Sequence, residues 1–327
     1  SPAGWPSGSA AAMSCWPDPH WMLARLQQFT TLSLLAIALA WGAWFGSDGR
    51  WGWAIGGALL VLFGYALFLA LEFALLARVR GSDPAPRASF AQLLRAWWGE
   101  VVSAPLVFCW RQPFRSHAEP DHLPAGAQGR LGVVLVHGFV CNRGFWNPWL
   151  RRFREADVPF VAVNLEPVFG RIGDYVGIVD AAVARVREAT GRAPLVVAHS
   201  MGGLAVRAWL SRCATTDAVE HVVTIGSPHH GTWLARFGHT PNGRQMRRAN
   251  DWLARLQERE AARSAGAPPY ARFTCFYSHC DNIVFPPSTA TLPGADNRHV
   301  PGSAHVHLAA QPEVFEAVWS RLAAAQR

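Results

Sequence analysis

The chain has 327 residues, half of them hydrophobic and only 16% charged, and its formal net charge of +8 is carried entirely by arginine. Such a composition is too apolar for an ordinary soluble globule, and the length suits one large domain with an appendage. The exclusive use of arginine reads as a compositional bias. With no nucleic-acid-binding signature in the sequence, the basic excess points to anionic lipid and not to nucleic acid.

Residues 1–28 are expected to form a disordered N-terminal segment, since residues 1–21 are rich in Ser, Pro, Ala and Gly and carry no periodicity. Met22 stands just before Arg25 and an apolar run, so it is a candidate start residue. Phe29 to Gly46 is an 18-residue run without charge, and Trp51 to Ala77 is a longer one broken only by Glu72. At about 1.5 Å per residue each run is long enough for a hydrocarbon core of about 30 Å. The connector Ser47-Asp48-Gly49-Arg50 allows only a tight turn, and Trp41, Trp44, Trp51 and Trp53 flank it as an aromatic belt would. Residues 29–80 are therefore expected to form a two-helix transmembrane hairpin, with Glu72 near headgroup level. Arg25, Arg78, Arg80, Arg87 and Arg95 outweigh Arg50 of the turn, so both ends of the hairpin are expected in the cytoplasm.

Residues 81–128 read as a juxtamembrane helix and linker. From Ala88 to Trp110 the apolar residues Leu93, Leu94, Trp97, Trp98, Val101 and Val102 recur at helical spacing. Such a helix either lies on a membrane surface or packs on the following domain. Gln112 to Gln128 holds three prolines and reads as a linker.

Beyond residue 129 strand and helix alternate. Gly132–Val136, Pro159–Leu165, Pro194–Ala198, Val219–Ile225 and Phe273–Ser278 are short apolar runs of the kind buried on both faces. Helical patterns lie near 145–155, 174–189, 204–213 and 313–324. This alternation predicts an α/β class with a mostly parallel sheet and helices on both sides. Residues 233–271 are the least regular part. An Arg-rich helix near 245–263 carries Met246, Trp252, Leu253 and Leu256 on one side, and it is either a lid or a fixed surface helix.

The stretch Ala198-His199-Ser200-Met201-Gly202-Gly203 joins a strand to a helix through small residues. That is the context of a nucleophile elbow, with Ala in place of the first Gly of G-x-S-x-G. The helix that follows offers free N–H groups and a positive dipole end to an oxyanion. Six cysteines, Cys15, Cys109, Cys141, Cys213, Cys275 and Cys280, show no metal spacing. Cys275 and Cys280 are either free or paired with each other. No metal or other cofactor is called for.

Three motifs taken together, Val133 to Phe139 with its His137-Gly138 turn, the elbow at Ser200, and Gly226-Ser227-Pro228-His229-His230-Gly231-Thr232, resemble bacterial lipases and esterases of the α/β-hydrolase fold. The resemblance covers roughly residues 130–327 and not the hairpin. It implies a Ser, Asp, His order along the chain. Ser200 is then the nucleophile, and Asp281, at the end of the last clear strand, orients the base. His305 is the base, from the Gly302-x-x-His305-x-x-Leu308 spacing, with His307 as its competitor. The resemblance further implies backbone N–H donors at Phe139 and Met201 for the oxyanion. It leaves His199, His229 and His230 as structural residues.

The expected activity is a membrane-anchored serine carboxylester hydrolase acting on lipophilic acyl esters. It would be held in a bacterial inner membrane with the catalytic domain, residues 129–327, in the cytoplasm. The same three residues would serve an acyltransferase or thioesterase. A hydrolase fold without catalysis is the remaining alternative.

Overall fold

The computed structural model describes residues 22–213, 215–264 and 268–325. Residues 1–21, expected to be disordered, lie outside the described residues.

Strand β3 (Leu195–His199) occupies an inner position in a six-stranded parallel sheet. The other strands are β1 (Val133–Val136), β2 (Phe160–Ala162), β4 (His221–Ile225), β5 (Phe273–Tyr277) and β6 (Asp296–His299), in the order β2-β1-β3-β4-β5-β6. The register runs Val136 beside Ala198 and His199 beside Ile225, so the carboxyl ends of β1, β3 and β4 lie side by side. Side chains alternate across the sheet. Val134, Val136, Val196 and Ala198 enter a core with Val179, Val183 and Val186 of helix α7 (Val176–Thr190) and with Leu204 and Ala205 of α8 (Met201–Leu210). Val133, Leu135, Leu195 and Val197 point the other way. They pack with Leu150 and Phe153 of α6 (Asn147–Glu155) and with Val314, Phe315 and Val318 of α12 (Pro312–Ala324). The parallel sheet with helices on both faces is as the sequence predicts. Strand β6 and the short helix α11 (His305–Leu308) were not predicted.

The N-terminal part departs from expectation in three places. Helix α1 spans Met22–Ser47, so residues 22–28 are helical and not disordered as expected. The second apolar run is two helices, α2 (Trp51–Phe63) and α3 (Tyr65–Val79), bent by 51° at Gly64. Among the described residues α1 alone qualifies by length and composition as a membrane span, while α2 and α3 qualify only as a bent pair. Helix α4 (Phe90–Pro105) continues through a π-helical stretch, Leu106–Arg111, into α5 (Gln112–Arg115), so the expected linker begins later than Gln112. Proline at 105 has no N–H to give the helix, and a wider turn follows it, a common accommodation.

Helices α1 and α2 run back to back, with Trp41 Nε1–H donating to the Trp53 carbonyl at 2.8 Å and Arg50 lying over Phe45. Phe29, Leu39, Trp44, Leu60 and Phe68 remain 62–73% exposed, far more continuous apolar surface than a soluble monomer presents. The outer ends of the hairpin are covered. At the start of α1, Gln27 donates to Gln112 Oε1 at 2.8 Å and Gln28 to the Pro113 carbonyl at 2.6 Å. At the end of α3, Phe73 and Leu76 join Phe285 and Ala304 in a small core. The start of α1 thus joins α5 and the end of α3 joins the α/β part, and the turn at Ser47–Arg50 lies about 30 Å away along α1.

Helices α9 (Pro241–Gln245) and α10 (Asp251–Arg263) complete the fold. A buried ion pair ties α10 to α8. Arg207 Nε and Nη2 donate to Glu260 at 2.9 and 2.6 Å, and the Tyr270 hydroxyl donates to Glu260 Oε2 at 2.6 Å. Cys109, Cys141, Cys213, Cys275 and Cys280 are free thiols. Cys275 and Cys280 are therefore not paired, and Cys15 lies outside the described residues.

Candidate active site

Strand β3 ends in His199 and the chain turns sharply at Ser200, whose φ of 54° and ψ of −130° lie outside the usual regions for an L-residue. Such strain persists only where surrounding structure enforces it. Here the Ser200 N–H donates to the Ile225 carbonyl at 2.9 Å, and α8 starts at the next residue. A Cβ on Gly202 would lie 2.5 Å from the His137 carbonyl oxygen, so only glycine lets α8 pass this close to the end of β1. Gly203 packs against Ser227, and Gly138 against the Cβ of Ser200.

His305, at the start of α11, faces Ser200. Its Nε2 lies 2.9 Å from Ser200 Oγ and its Nδ1 2.9 Å from Asp281 Oδ2. Asp281 Oδ1 accepts from the N–H groups of Ile283 and Val284 at 2.9 and 2.8 Å, which fixes the carboxylate. An ionised carboxylate only accepts, so Nδ1 carries the proton and Nε2 accepts from the serine hydroxyl. Burial pulls the His305 pKa down, but the carboxylate of Asp281 and, more weakly, those of Glu100 and Glu72 raise it above its ordinary value. Gly226, at φ 54°, closes β4 beside this pair. A Cβ there would sit 2.9 Å from Asp281 Oδ2 and 3.2 Å from His305 Nδ1.

The remaining predicted residues surround this line. Met201 is the first residue of α8, where an N–H has no acceptor within the helix. Phe139 follows His137-Gly138 in the turn after β1. His137 Nε2 accepts from the Leu165 N–H at 3.0 Å, so Nδ1–H donates to the Gly138 carbonyl at 2.8 Å. Burial pushes its pKa down to about 4, which keeps this tautomer neutral and the turn fixed. His199, buried under Phe145 at 4.5 Å between ring centroids, donates from Nε2 to the His305 carbonyl at 3.1 Å. Burial, then the neighbouring His305, holds its pKa well below normal. His307, the competitor for the base, instead takes a hydrogen bond from Gln311 at its Nε2, 3.0 Å away. His229 and His230 contact Thr224 and Gln257 and do not reach Ser200.

Three residues of the site were missed by sequence reasoning. Asn282, beside Asp281, accepts from the His305 N–H at Oδ1 (3.2 Å) and donates from Nδ2 to Glu72 Oε2 on α3 (2.7 Å). Glu72 is thus buried against the α/β part and not at headgroup level. Glu100 of α4 accepts from the N–H groups of Val306 and His307, each at 3.1 Å. A lone acid in an apolar run signals a needed partner, but nothing local names that partner. Among the described residues no group of three or more His, Cys, Asp or Glu side chains could hold a metal ion.

Solved structures resemble the chain in fold. A Bacillus licheniformis lipase in mature form matches 61% of this chain and 95% of its own at 16% identity, with a TM-score of 0.52. An Aspergillus fumigatus lipase B matches 64% of this chain and 57% of its own at 20% identity, with a TM-score of 0.50. The chain has the α/β-hydrolase fold, similar to that of these lipases. At these identities the likeness speaks for the fold alone. Residues 132–257 also match a family described as palmitoyl protein thioesterase, a stretch from β1 into α10 that includes the elbow. No curated protein matches the chain.

Proposed function

We propose that this α/β-hydrolase is a membrane-associated serine hydrolase that cleaves lipophilic acyl esters through an acyl-enzyme on Ser200. The observation that carries the proposal is the unbroken line from Asp281 through His305 to Ser200, with both hydrogen bonds at 2.9 Å. In this reading His305 Nε2 takes the hydroxyl proton as Ser200 Oγ bonds to the acyl carbonyl carbon. The tetrahedral oxyanion points at the N–H groups of Met201 and Phe139, each of which typically contributes about 3 kcal/mol at the transition state. His305 then gives its proton to the departing alcohol, the C–O bond breaks, and water repeats the sequence to free the acid.

A thioester substrate is the second reading, favoured by the thioesterase family match over residues 132–257. The same residues serve it, with a thiol departing in place of an alcohol. The membrane reading rests on the exposed apolar surface of α1–α3, and on α4. The α4 stretch exposes Phe90, Leu94, Trp98, Val102, Leu106 and Trp110, one residue every four, as an apolar stripe. Arg87 and Arg95 accompany it, a pairing suited to an anionic leaflet. In this reading the hairpin spans the bacterial inner membrane and the catalytic part lies on the cytoplasmic side. Any lid falls to Trp233–Phe237, where Phe237 is exposed, since α10 is pinned through Glu260.

A fluorophosphonate probe tests the proposal, followed by matched oxygen esters and thioesters of rising acyl length. Labelling that vanishes in Ser200→Ala, with hydrolysis lost alongside, is the expected result. Undiminished hydrolysis by Ser200→Ala would dismiss the proposal, and the ratio of ester to thioester rates separates the two readings.

A further inference from the structure

The loop carrying His305 is held from outside the α/β part by carboxylates more than 200 residues away in sequence. Glu100 is the more direct of the two. It is the only acid in α4 and is 2% exposed. Its two oxygens receive all three contacts from the amides of residues 306 and 307, at 3.1 Å each. The helix reaches this depth because residue 99 is glycine: a Cβ there would sit 2.4 Å from His307 Nδ1.

We propose that Glu100 is a positioning residue for the base, fixing the His305 ring against Ser200 by holding the first amides of α11 and by facing the imidazole with its charge. This rests on Ser200, His305 and Asp281 acting as a triad. A packing role alone would be better met by hydrocarbon, since burying a carboxylate is strongly unfavourable unless its charge is used. An amide is a poor substitute, because one of its two ends is itself a donor and would meet an N–H. The other groups around His305 do not duplicate the role. Asp281 binds Nδ1, His199 binds the carbonyl, and Glu72 reaches the residue only through Asn282. His307 is turned toward Gln311. Burial pushes the Glu100 pKa up to about 7, against the pull of His305 and of the two amides. Its charge therefore builds as pH rises through neutrality.

The test uses the full chain with Glu100→Gln, Glu100→Ala and Glu100→Asp. Rates on a soluble short-chain ester are normalised to the sites titrated by a fluorophosphonate. For Glu100→Gln, kcat per titrated site should fall about tenfold with KM unchanged within about twofold, the pattern of an interaction used in the transition state. The acid limb of kcat/KM should move to lower pH, because removing a negative charge makes the imidazole less basic. Glu100→Asp should keep the limb near its original position. Glu100→Ala should lose more than Glu100→Gln, and if it fails to fold, the pH profile of Glu100→Gln decides. Unchanged kcat per site with an unmoved limb overturns the proposal. So does a drop confined to the number of titratable sites, which is what a purely structural role produces. If the unmodified chain is not labelled at Ser200, the triad reading fails first and takes this inference with it.

Discussion

Asp281→Asn separates an orienting carboxylate from a mere neighbour, and the structure predicts how severe the change should be. In the native site Asp281 Oδ1 accepts two backbone N–H groups, from Ile283 and Val284, while Oδ2 accepts from His305 Nδ1. An asparagine keeps two acceptor contacts by leaving its carbonyl oxygen on the Ile283 and Val284 amides. Its NH2 then faces Nδ1, which must become an acceptor. The imidazole proton moves to Nε2, the atom that should take the proton of Ser200. The wrong tautomer, not a lost contact, is the damage, and for such triads it lowers kcat by about 10⁴. At about 1.4 kcal/mol per decade this is about 5 kcal/mol of transition-state stabilisation. The measurement is kcat/KM on a soluble ester as a function of pH, with the labelling rate of Ser200 as a second readout. On the proposed mechanism neutral His305 would be the active form, and Asp281 raises its pKa. In the unmodified chain the rate should fall as pH drops below that raised value, and in Asp281→Asn the residual rate should fall only at lower pH. A loss smaller than tenfold, or an acid limb that stays in place, would refute the assignment of Asp281.

Three other substitutions probe parts of the same structure. Glu260→Ala leaves Arg207, which has no solvent exposure, without its anion, and should cost about 3–5 kcal/mol in denaturant unfolding; recovery in Arg207→Met with Glu260→Leu is expected, and a cost below about 1 kcal/mol would mean α10 is not pinned. Gly226→Ala forces a side chain to φ 54° and a Cβ to 2.9 Å from Asp281 Oδ2, so about 1–2 kcal/mol of stability should go with a drop in kcat, and unchanged kcat would contradict the crowding of the Asp281–His305 pair. Trp98→Asp with Val102→Asp, on the exposed stripe of α4, should cut hydrolysis of a long-chain ester in anionic vesicles about tenfold or more and spare a soluble short-chain ester; equal effects on both substrates would argue that α4 does not face lipid.

The parts of this molecule that could be read from sequence are those whose physics is local. Strands β1, β3, β4 and β5 are apolar runs because the sheet buries both of their faces. The elbow at Ser200 declares itself because strand, kink and helix each need particular small residues within six positions. Strand β6 escaped because Asp296-Asn297-Arg298-His299 sits at an edge and is mostly exposed, with no apolar pattern to betray it. The bend at Gly64 escaped because hydropathy does not change across it. Glu72 and Glu100 were out of reach for a different reason: their partners lie 206–210 residues further along, at Asn282, Val306 and His307. Local pattern marks a buried acid as unusual, but only the folded chain supplies its donors.

The placement of those partners bears on what the N-terminal helices are for. A tether needs length and apolar surface, and α1 has both. It does not need polar side chains aimed at the loops of an active site. Yet Gln27 of α1 reaches Gln112 and the Val140 carbonyl in the turn that carries Phe139. Glu72 of α3 reaches Asn282 beside Asp281, and Glu100 of α4 reaches the amides beside His305. A buried carboxylate without donors is unfavourable by several kcal/mol, and buried N–H groups without acceptors by about 1–3 kcal/mol each. Taking either side away therefore gives up these paired contacts and leaves the freed groups to water. Polar contacts thus tie α1, α3 and α4 to the loops around Ser200, Asp281 and His305, and exposed apolar surface lies on the same helices. If Glu100 positions the base as proposed, tilting α4 would shift the amides of residues 306 and 307, and the seating of the helices would set the rate at Ser200.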